Sequence, residues 1–342
     1  MRRYLWIFFL IIGSALLWLS LIPAEGESKI DWNKINAYPV KFFYPGVASW
    51  KFLNSPDHSI GAKAIVKVQK SCTECHVDKK TNEYDIMADK IVSGKLEMKK
   101  SMNPFEPRPV PGKPGFLDAT IQAAYDEKNI YLRIQWNSTG ASWKGLKGSD
   151  GEFADRVSVQ LNSREKYFVK YGCFINCHND LRGMPESPSA EAIKKHPYYS
   201  SFKRNDVRLY AFYTRNKEGW NNIISEGELD KLQKESALID LWNINFKSGG
   251  LKAEDGWVLH DRREDKNDLE SEGGWEGGKY TAVFKRKLRT GDPKDIELKE
   301  GDTVTISIAV HDDKANHRRH HVSFPVRLGL GAEGDIRAER VK

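Results

Sequence analysis

The sequence predicts a mainly β protein: an antiparallel β-sandwich preceded by a mostly helical or irregular N-terminal extension. Three observations predict it. Short segments alternate strictly between apolar and polar residues, as in Leu132, Ile134 and Trp136 against Tyr131, Arg133 and Gln135, the pattern of a strand with one face buried. Val304, Ile306, Ile308 and Val310 repeat it near the C-terminus. Between such segments lie turn signals, the clearest being Asp126-Glu-Lys-Asn129. Finally, residues 103–115 read NPFEPRPVPGKPG, a proline density that neither a helix interior nor a central strand tolerates, which places a boundary there.

Taken in order, the chain opens with Met1-Arg2-Arg3, an apolar run over residues 4–22 and a polar stretch from Ala24 to Ser28. This is the pattern of a secretory signal or of a retained membrane anchor. Cleavage after Gly26 is the preferred reading, and residues 1–27 are treated as leader. Residues 28–115 form the extension. Its first part is rich in aromatics (Trp32, Phe42, Phe43, Tyr44, Trp50, Phe52), and residues 87–102 read as a helix, with Ile91 and Leu96 interleaved with Lys90, Lys95 and Lys99. Residues 116–342 form the sandwich. Strands are expected at 119–125 and 130–136, joined as a hairpin, then around Val157, Val159 and Leu161, at 238–246, 280–288, 303–310 and 322–328. A helix is expected at 226–237, and the charged stretch 255–274 reads as a surface insertion.

Composition narrows the function. Charged residues make up 30% of the chain and the net charge is +7, with a mean hydropathy of −0.60. The charges alternate in sign rather than forming a block, as in Lys294-Asp-Ile-Glu-Leu-Lys-Glu300, so a solvated mixed surface is favoured and nucleic-acid binding is not. A mildly basic face is still suited to steering an acidic redox partner. There is no Gly-x-Gly-x-x-Gly after a strand, hence no nucleotide signature.

The chemistry lies in the cysteines. The chain has four, and all fall in two similar motifs. Cys72-Thr-Glu-Cys75-His76 is the C-x-x-C-H signature of covalent haem c attachment, in which two thiols join the vinyl groups of one porphyrin and the adjacent imidazole takes the iron. Cys173-Phe-Ile-Asn-Cys177-His178 is the same arrangement with one extra residue. Two covalently bound haems c are expected, with Cys72, Cys75, Cys173 and Cys177 as attachment points and His76 and His178 as proximal ligands. Two disulfides or a Cys/His zinc site are the competing readings, but disulfides do not need the histidines and zinc does not need one directly after each second cysteine. For the first haem's distal ligand, His58 lies upstream and Met98 and Met102 stand one helical turn apart downstream; Met87 is a further methionine in reach.

Several blocks in the β region carry a resemblance. They are residues 123–136 (AAYDEKNIYLRIQW), 153–160 (FADRVSVQ), 239–243 (IDLWN), 284–291 (FKRKLRTG) and 301–313, followed by Val322-Ser323. From about Phe116 onward the chain resembles the haem-binding small subunit of ethylbenzene dehydrogenase and its relatives, also described as a cytochrome c-552/DMSO-reductase-like haem-binding domain. The resemblance implies a β-sandwich that holds one haem at its end. It also implies service as an electron-transfer subunit beside molybdenum-containing catalytic and iron–sulfur subunits, and so no molybdenum in this chain. In that family the haem is non-covalent, held by a methionine and a lysine. Here the corresponding regions read Tyr171-Gly-Cys-Phe-Ile-Asn-Cys-His178 and His317-Arg-Arg-His-His321, as if the pocket were rebuilt for covalent attachment. The resemblance thus points to His320 or His321 as distal ligand of the second haem. The extension is similar to dihaem subunits associated with nitrite- or nitrate-converting molybdenum enzymes.

These expectations converge on an exported dihaem cytochrome c that passes single electrons and does no bond-making of its own. Two alternatives remain at this point: a stand-alone periplasmic carrier, or a haem enzyme with one open iron site acting on a small nitrogen or oxygen species. A disulfide-stapled sugar- or peptide-binding sandwich is the reading from a different class.

Overall fold

In the computed structural model the described residues are 30–46, 50–96, 109–140, 155–182, 184, 186–312 and 320–342. The short turn Trp32–Lys34 belongs with the N-terminal segment, and residues 35–341 form the other compact unit. Strands dominate, as expected: β1 (Tyr38–Phe43), β2 (Phe116–Tyr125), β3 (Asn129–Asn137), β4 (Arg156–Asn162), β5 (Ile239–Lys247), β6 (Gly250–Val258), β7 (Arg262–Glu264), β8 (Glu270–Glu276), β9 (Lys279–Lys287), β10 (Thr303–His311), β11 (His321–Val322), β12 (Val326–Leu330) and β13 (Ile336–Arg340). They join edge to edge in the order β7-β6-β5-β4-β10-β11-β1-β2-β3-β9-β8, with β12 and β13 bridging β10 to β2. Pairing is antiparallel except at β12–β13 and β13–β2.

This continuous sheet folds over, so that β4, β5 and β10 face β2, β3 and β9 across one core. The alternation dictates which residues meet. Ile130, Leu132, Ile134 and Trp136 of β3 and Val304, Ile306, Ile308 and Val310 of β10 are all at most 1% exposed and belong to the same cluster. Aromatic pairs span the gap: Phe246 of β5 lies 4.5 Å from Tyr280 of β9, and Trp242 lies 6.2 Å from Phe284. The predicted hairpin is present, its turn held by Asp126, whose Oδ1 accepts from the Lys128 and Asn129 amides.

Strand β5 is buried on both faces. Its even-numbered side chains enter the sandwich core, whereas Ile239 and Leu241 join a second cluster with Phe43, Ile65, Phe168, Tyr171 and Phe324. On β10 likewise, Ser307 and Ala309 point outward. The short helices α1 (Trp50–Leu53), α2 (Ile60–Val68), α3 (Cys72–His76), α4 (Ala88–Val92) and α5 (Lys166–Tyr171) build this outer layer. It rests on that second face because the apolar pattern of β5 leaves it nowhere else to be buried.

The structure departs from the sequence expectations in four places, one being the strand expected at 322–328, which is broken into β11 and β12 at residues 323–325. Residues 38–43, read as irregular, form β1, inserted between β2 and β11 with Phe43 opposite both Phe116 and Val322. Of the helix expected at 87–102, the described residues, which here end at Leu96, hold α4. Gly94, at φ 68°, turns the chain left-handed, and the amides of Lys95 and Leu96 fold back to the Lys90 carbonyl, a glycine stop. Met98 and Met102 lie outside the described residues. The stretch read as a surface insertion supplies β7, β8 and the buried Asp255; its charges sit on edge strands, where one face is solvated. A helix of residues Glu226–Lys234 and the strand β5 stand where they were expected.

Among the described residues no helix is long and apolar enough to cross a membrane; the apolar run 4–22 lies outside them.

Candidate functional site

The first motif occupies the one-turn helix α3. Ser71 precedes it, its amide donating to Glu74 Oε2 at 2.6 Å, a side chain reaching back over the helix start. The spacing i, i+3, i+4 puts Cys72, Cys75 and His76 on one side of the turn. That side opens on a cavity of about 560 Å³, within the size range of cofactor sites. Its walls are mostly apolar, including Phe43, Phe52, Leu53, Ile65, Phe174 and Phe324.

His58 lines the same cavity. It ends the short 3-10 turn Pro56–His58, whose Asp57 amide donates to Ser55 Oγ. Its ring lies 6.0 Å from that of His76, centre to centre, with the planes 18° apart. Two imidazoles bound on opposite sides of one metal ion at about 2.0 Å would hold their ring centres roughly 6.3 Å apart. In each histidine Nδ1 pairs with a main-chain carbonyl: Leu53 O at 2.9 Å for His58 and Asp85 O at 3.0 Å for His76. Such a bond fixes the ring and leaves Nε2 as the coordinating atom. Burial pushes the His58 imidazole below its ordinary value, outweighing the Leu53 carbonyl, so the neutral, ligating form is favoured. Gly61 makes room for this ring: a Cβ there would lie 2.5 Å from His58 Cε1 and Nε2. Met87 also borders the cavity, half-exposed on its rim.

None of the four cysteines is in a disulfide. Burial, reinforced by Cys173 and Cys75, pushes the Cys72 thiol up to about 12, and burial pushes Cys173 up to about 11. Among the described residues, the one set of three or more metal-binding side chains with converging atoms is an aspartate group far along the chain, not either motif. Cysteines and histidine splayed along a helix suit attachment to a broad ring and not the tight tetrahedron of zinc. The residues at the first motif fit a haem c.

The second motif begins on the 3-10 turn Gly172–Ile175. The outward face of the sheet holds it: Cys173 N donates to Ser307 Oγ at 3.1 Å, and Asn176 Nδ2 to Gln160 Oε1 at 2.6 Å. Phe174, beside Cys173, forms part of the first cavity's wall, so the two motifs adjoin. His178 is 1% exposed. Its Nδ1 pairs with Asp180, the carboxylate–histidine arrangement that orients a ligand. Burial alone would raise Asp180, but His178 and Arg215 hold it at about 2. The Arg215 guanidinium reaches His178 Nε2 at 3.2 Å, however, and the adjacent cavity of about 270 Å³ is lined largely by polar groups such as Lys51, Glu186 and Glu218. The fit to a haem here is therefore partial: thiols and an oriented imidazole are present, but a cation faces the coordinating nitrogen.

His320 and His321 stand elsewhere. The ring of His320 stacks on that of His311 at 4.4 Å, and His321 Nε2 meets the Pro114 carbonyl at 2.9 Å. Burial, then Lys113, pushes His321 down to about 3. Asp180 and Arg215 escaped sequence reasoning. Asp180, two residues beyond His178, carries a local signal; Arg215 does not.

Known proteins resemble this chain along most of its length. The chain is 28% identical over 319 residues to a cytochrome c-552 of Stutzerimonas stutzeri, covering 93% of each. It is 26% identical over 314 residues to a cytochrome c-551 of Rhodocyclus tenuis, covering 91% of this chain and 99% of the other. A solved carbohydrate-binding module of family 9 from Caldicellulosiruptor kristjanssonii, in complex with glucose, matches 61% of this chain and 66% of its own at 8% identity. Its TM-score of 0.27 is too low to bear on the fold. Together with the family to which the chain belongs, the two cytochrome relatives support a cytochrome-type electron-transfer protein, for which haem c is the implied cofactor. The family model described as ethylbenzene dehydrogenase matches residues 30–323, and this chain belongs to that family.

Proposed function

We propose that this protein is an exported dihaem cytochrome c acting as the haem subunit of a molybdenum oxidoreductase complex, with His58 and His76 as the two axial ligands of the first haem. The parallel pair of imidazoles at 6.0 Å across an apolar cavity carries the proposal. When bound, haem supplies a one-electron ferric/ferrous couple. The chain's own residues do the rest. Leu53 O and Asp85 O lock the two rings, the aromatic walls exclude water, and the paired nitrogen ligands favour a lower potential than a histidine–methionine pair would.

For the second haem the proposal takes Cys173, Cys177 and His178, with Asp180 behind the proximal ring and His320 or His321 as the distal ligand. It requires Arg215 to give up its contact with His178 Nε2, and His320 or His321 to leave its contact with His311 or Pro114. The adjoining walls at Phe174 and the neighbouring thiols Cys72 and Cys173 favour direct passage of electrons between the two groups. The apolar run at residues 4–22 supports export, the family's name supports an oxidoreductase partner, and in this proposal that partner carries the molybdenum and iron–sulfur centres.

The mass of the purified holoprotein counts the haems: two covalent additions are expected, and a single one would remove the second site from the proposal. His58→Ala is expected to turn the first haem from low-spin to high-spin in its absorbance and electron paramagnetic resonance spectra. An unchanged spectrum in that variant, with a change instead in Met98→Ala or Met102→Ala, would overturn the ligand assignment. Gly61→Ala separates ligation from stability. Alanine is the better helix former by about 1 kcal/mol, yet its methyl would displace His58. The expected outcome is a perturbed haem spectrum with no comparable loss in unfolding midpoint. Co-purification with metal analysis tests the partner: recovery of a lone cytochrome without molybdenum would favour a stand-alone carrier.

A further inference from the structure

Far from both motifs in the chain, the β5–β6 hairpin, the loop after β7 and the loop between β9 and β10 bring several aspartates together. Asp240, Asp255 and Asp295 each offer an oxygen within 4.8 Å of the others. Two oxygens bound to one calcium ion at 2.3–2.6 Å can lie at most about 5 Å apart, so this spacing suits a shared ion. Asp265 and Asp268 border the group: each has a buried oxygen without a hydrogen-bond partner, and in Asp265 both are so.

The cluster is built into the protein. Asp240 is 0% exposed, and the Asp295 side chain 3%. Asp240 spends Oδ2 on Arg286 and on the Ile296 amide, but its Oδ1 has no partner. Asp255 accepts from the Gly256 amide through Oδ1, while Oδ2 is unpartnered and its carboxyl lies against Asp268, where neither group can donate when ionised. Buried carboxylate oxygens without donors are costly. The buried cation beside them is Arg286, with Lys294 over the Trp257 ring nearby, so carboxylates outnumber cations. Burial first, then Asp268 and the neighbouring aspartates, push Asp255 up to about 9, and burial with like-charge repulsion brings Asp240 and Asp265 to about 6. A divalent cation would relieve that repulsion and satisfy the orphaned oxygens together.

We propose that Asp240, Asp255 and Asp295, with Asp265 or Asp268 completing the shell, form a structural calcium site that ties the two loops to the β5–β6 hairpin. An all-oxygen, carboxylate-rich set drawn from separate segments matches calcium, which accepts six to eight oxygens in flexible geometry. Magnesium prefers few carboxylates and keeps its water. The site is independent of haem ligation.

The test uses the full holoprotein. After equilibration with calcium and removal of excess, elemental analysis is expected to give one calcium per chain, and a chelator is expected to lower the thermal midpoint by at least ~3 °C, restored by calcium alone. Asp255→Asn is expected to abolish the chelator's effect. Because that position is buried, Asp265→Asn serves as the second variant: a tenfold or greater loss of calcium affinity by calorimetry, with haem content and spectrum unchanged. An unchanged midpoint with and without calcium and no bound metal would overturn the proposal, as would magnesium binding as tightly as calcium in competition.

Discussion

A chain in which Cys72 and Cys75 are both alanine is expected to lose its first haem entirely, and with it about half of the protein's covalent haem absorbance if both motifs are loaded. The structural effect should be equally large. The cavity beside α3 has a volume of about 560 Å³ and mostly apolar walls. Without the haem these apolar walls would face water, which is unfavourable at roughly 25 cal/mol for each Å² of apolar surface exposed. The layer of α2, α3 and α4 cannot sustain that and is expected to collapse or open locally. The sandwich core, built from β3, β5, β9 and β10, does not draw on the cavity and should persist. Hydrogen exchange distinguishes the two: fast exchange confined to residues 50–96, with β3 and β10 still protected, is the expected pattern. Retention of a full complement of covalent haem in the double variant would contradict the attachment chemistry itself.

How far the sequence foretold this arrangement depends on the range of the interactions. The sandwich was legible because its strands follow a period of two that is written locally: Val304, Ile306, Ile308 and Val310 all turn to the core whichever strand lies opposite. The C-x-x-C-H motif was legible for the same reason, since its three groups lie within one helical turn. What escaped depends on distant contacts. Residues 38–43 become a strand only because β2 and β11 offer two edges to pair with, and no alternation over six residues announces that. His58 was one candidate among several because nothing local distinguishes it from Met98 or Met102. Its approach to His76 depends on a turn at Ser55–Ser59 and on the bare backbone of Gly61. His320 and His321, favoured by resemblance, keep company with His311 and Pro114. The contact between Arg215 and His178 joins residues thirty-seven apart, and the aspartate cluster draws on three separate segments, where each acid alone reads as ordinary surface charge.

Arg286→Met is expected to be the most damaging single substitution away from the haem motifs. The guanidinium is 1% exposed, sits 4.8 Å over the Trp242 ring, and bonds to Asp240 and the Ile296 carbonyl, linking β9 to β5 across the sandwich. Methionine replaces much of the volume and retains the apolar contact with Trp242, so packing is not the main loss. The loss is electrostatic: in calcium-free protein Asp240, 0% exposed, keeps only the Ile296 amide, with Asp255 and Asp295 still beside it. Breaking a buried pair from one side costs about 3–5 kcal/mol because the stranded charge cannot be resolvated. The pair itself contributes much less, since removing both charges also removes both desolvation penalties. Arg286→Met combined with Asp240→Asn should therefore recover a substantial part of what the single substitution loses in denaturant unfolding. If the double variant were instead less stable by the sum of the two single effects, the two side chains would be acting independently, and the ion pair could not be what joins β9 to β5.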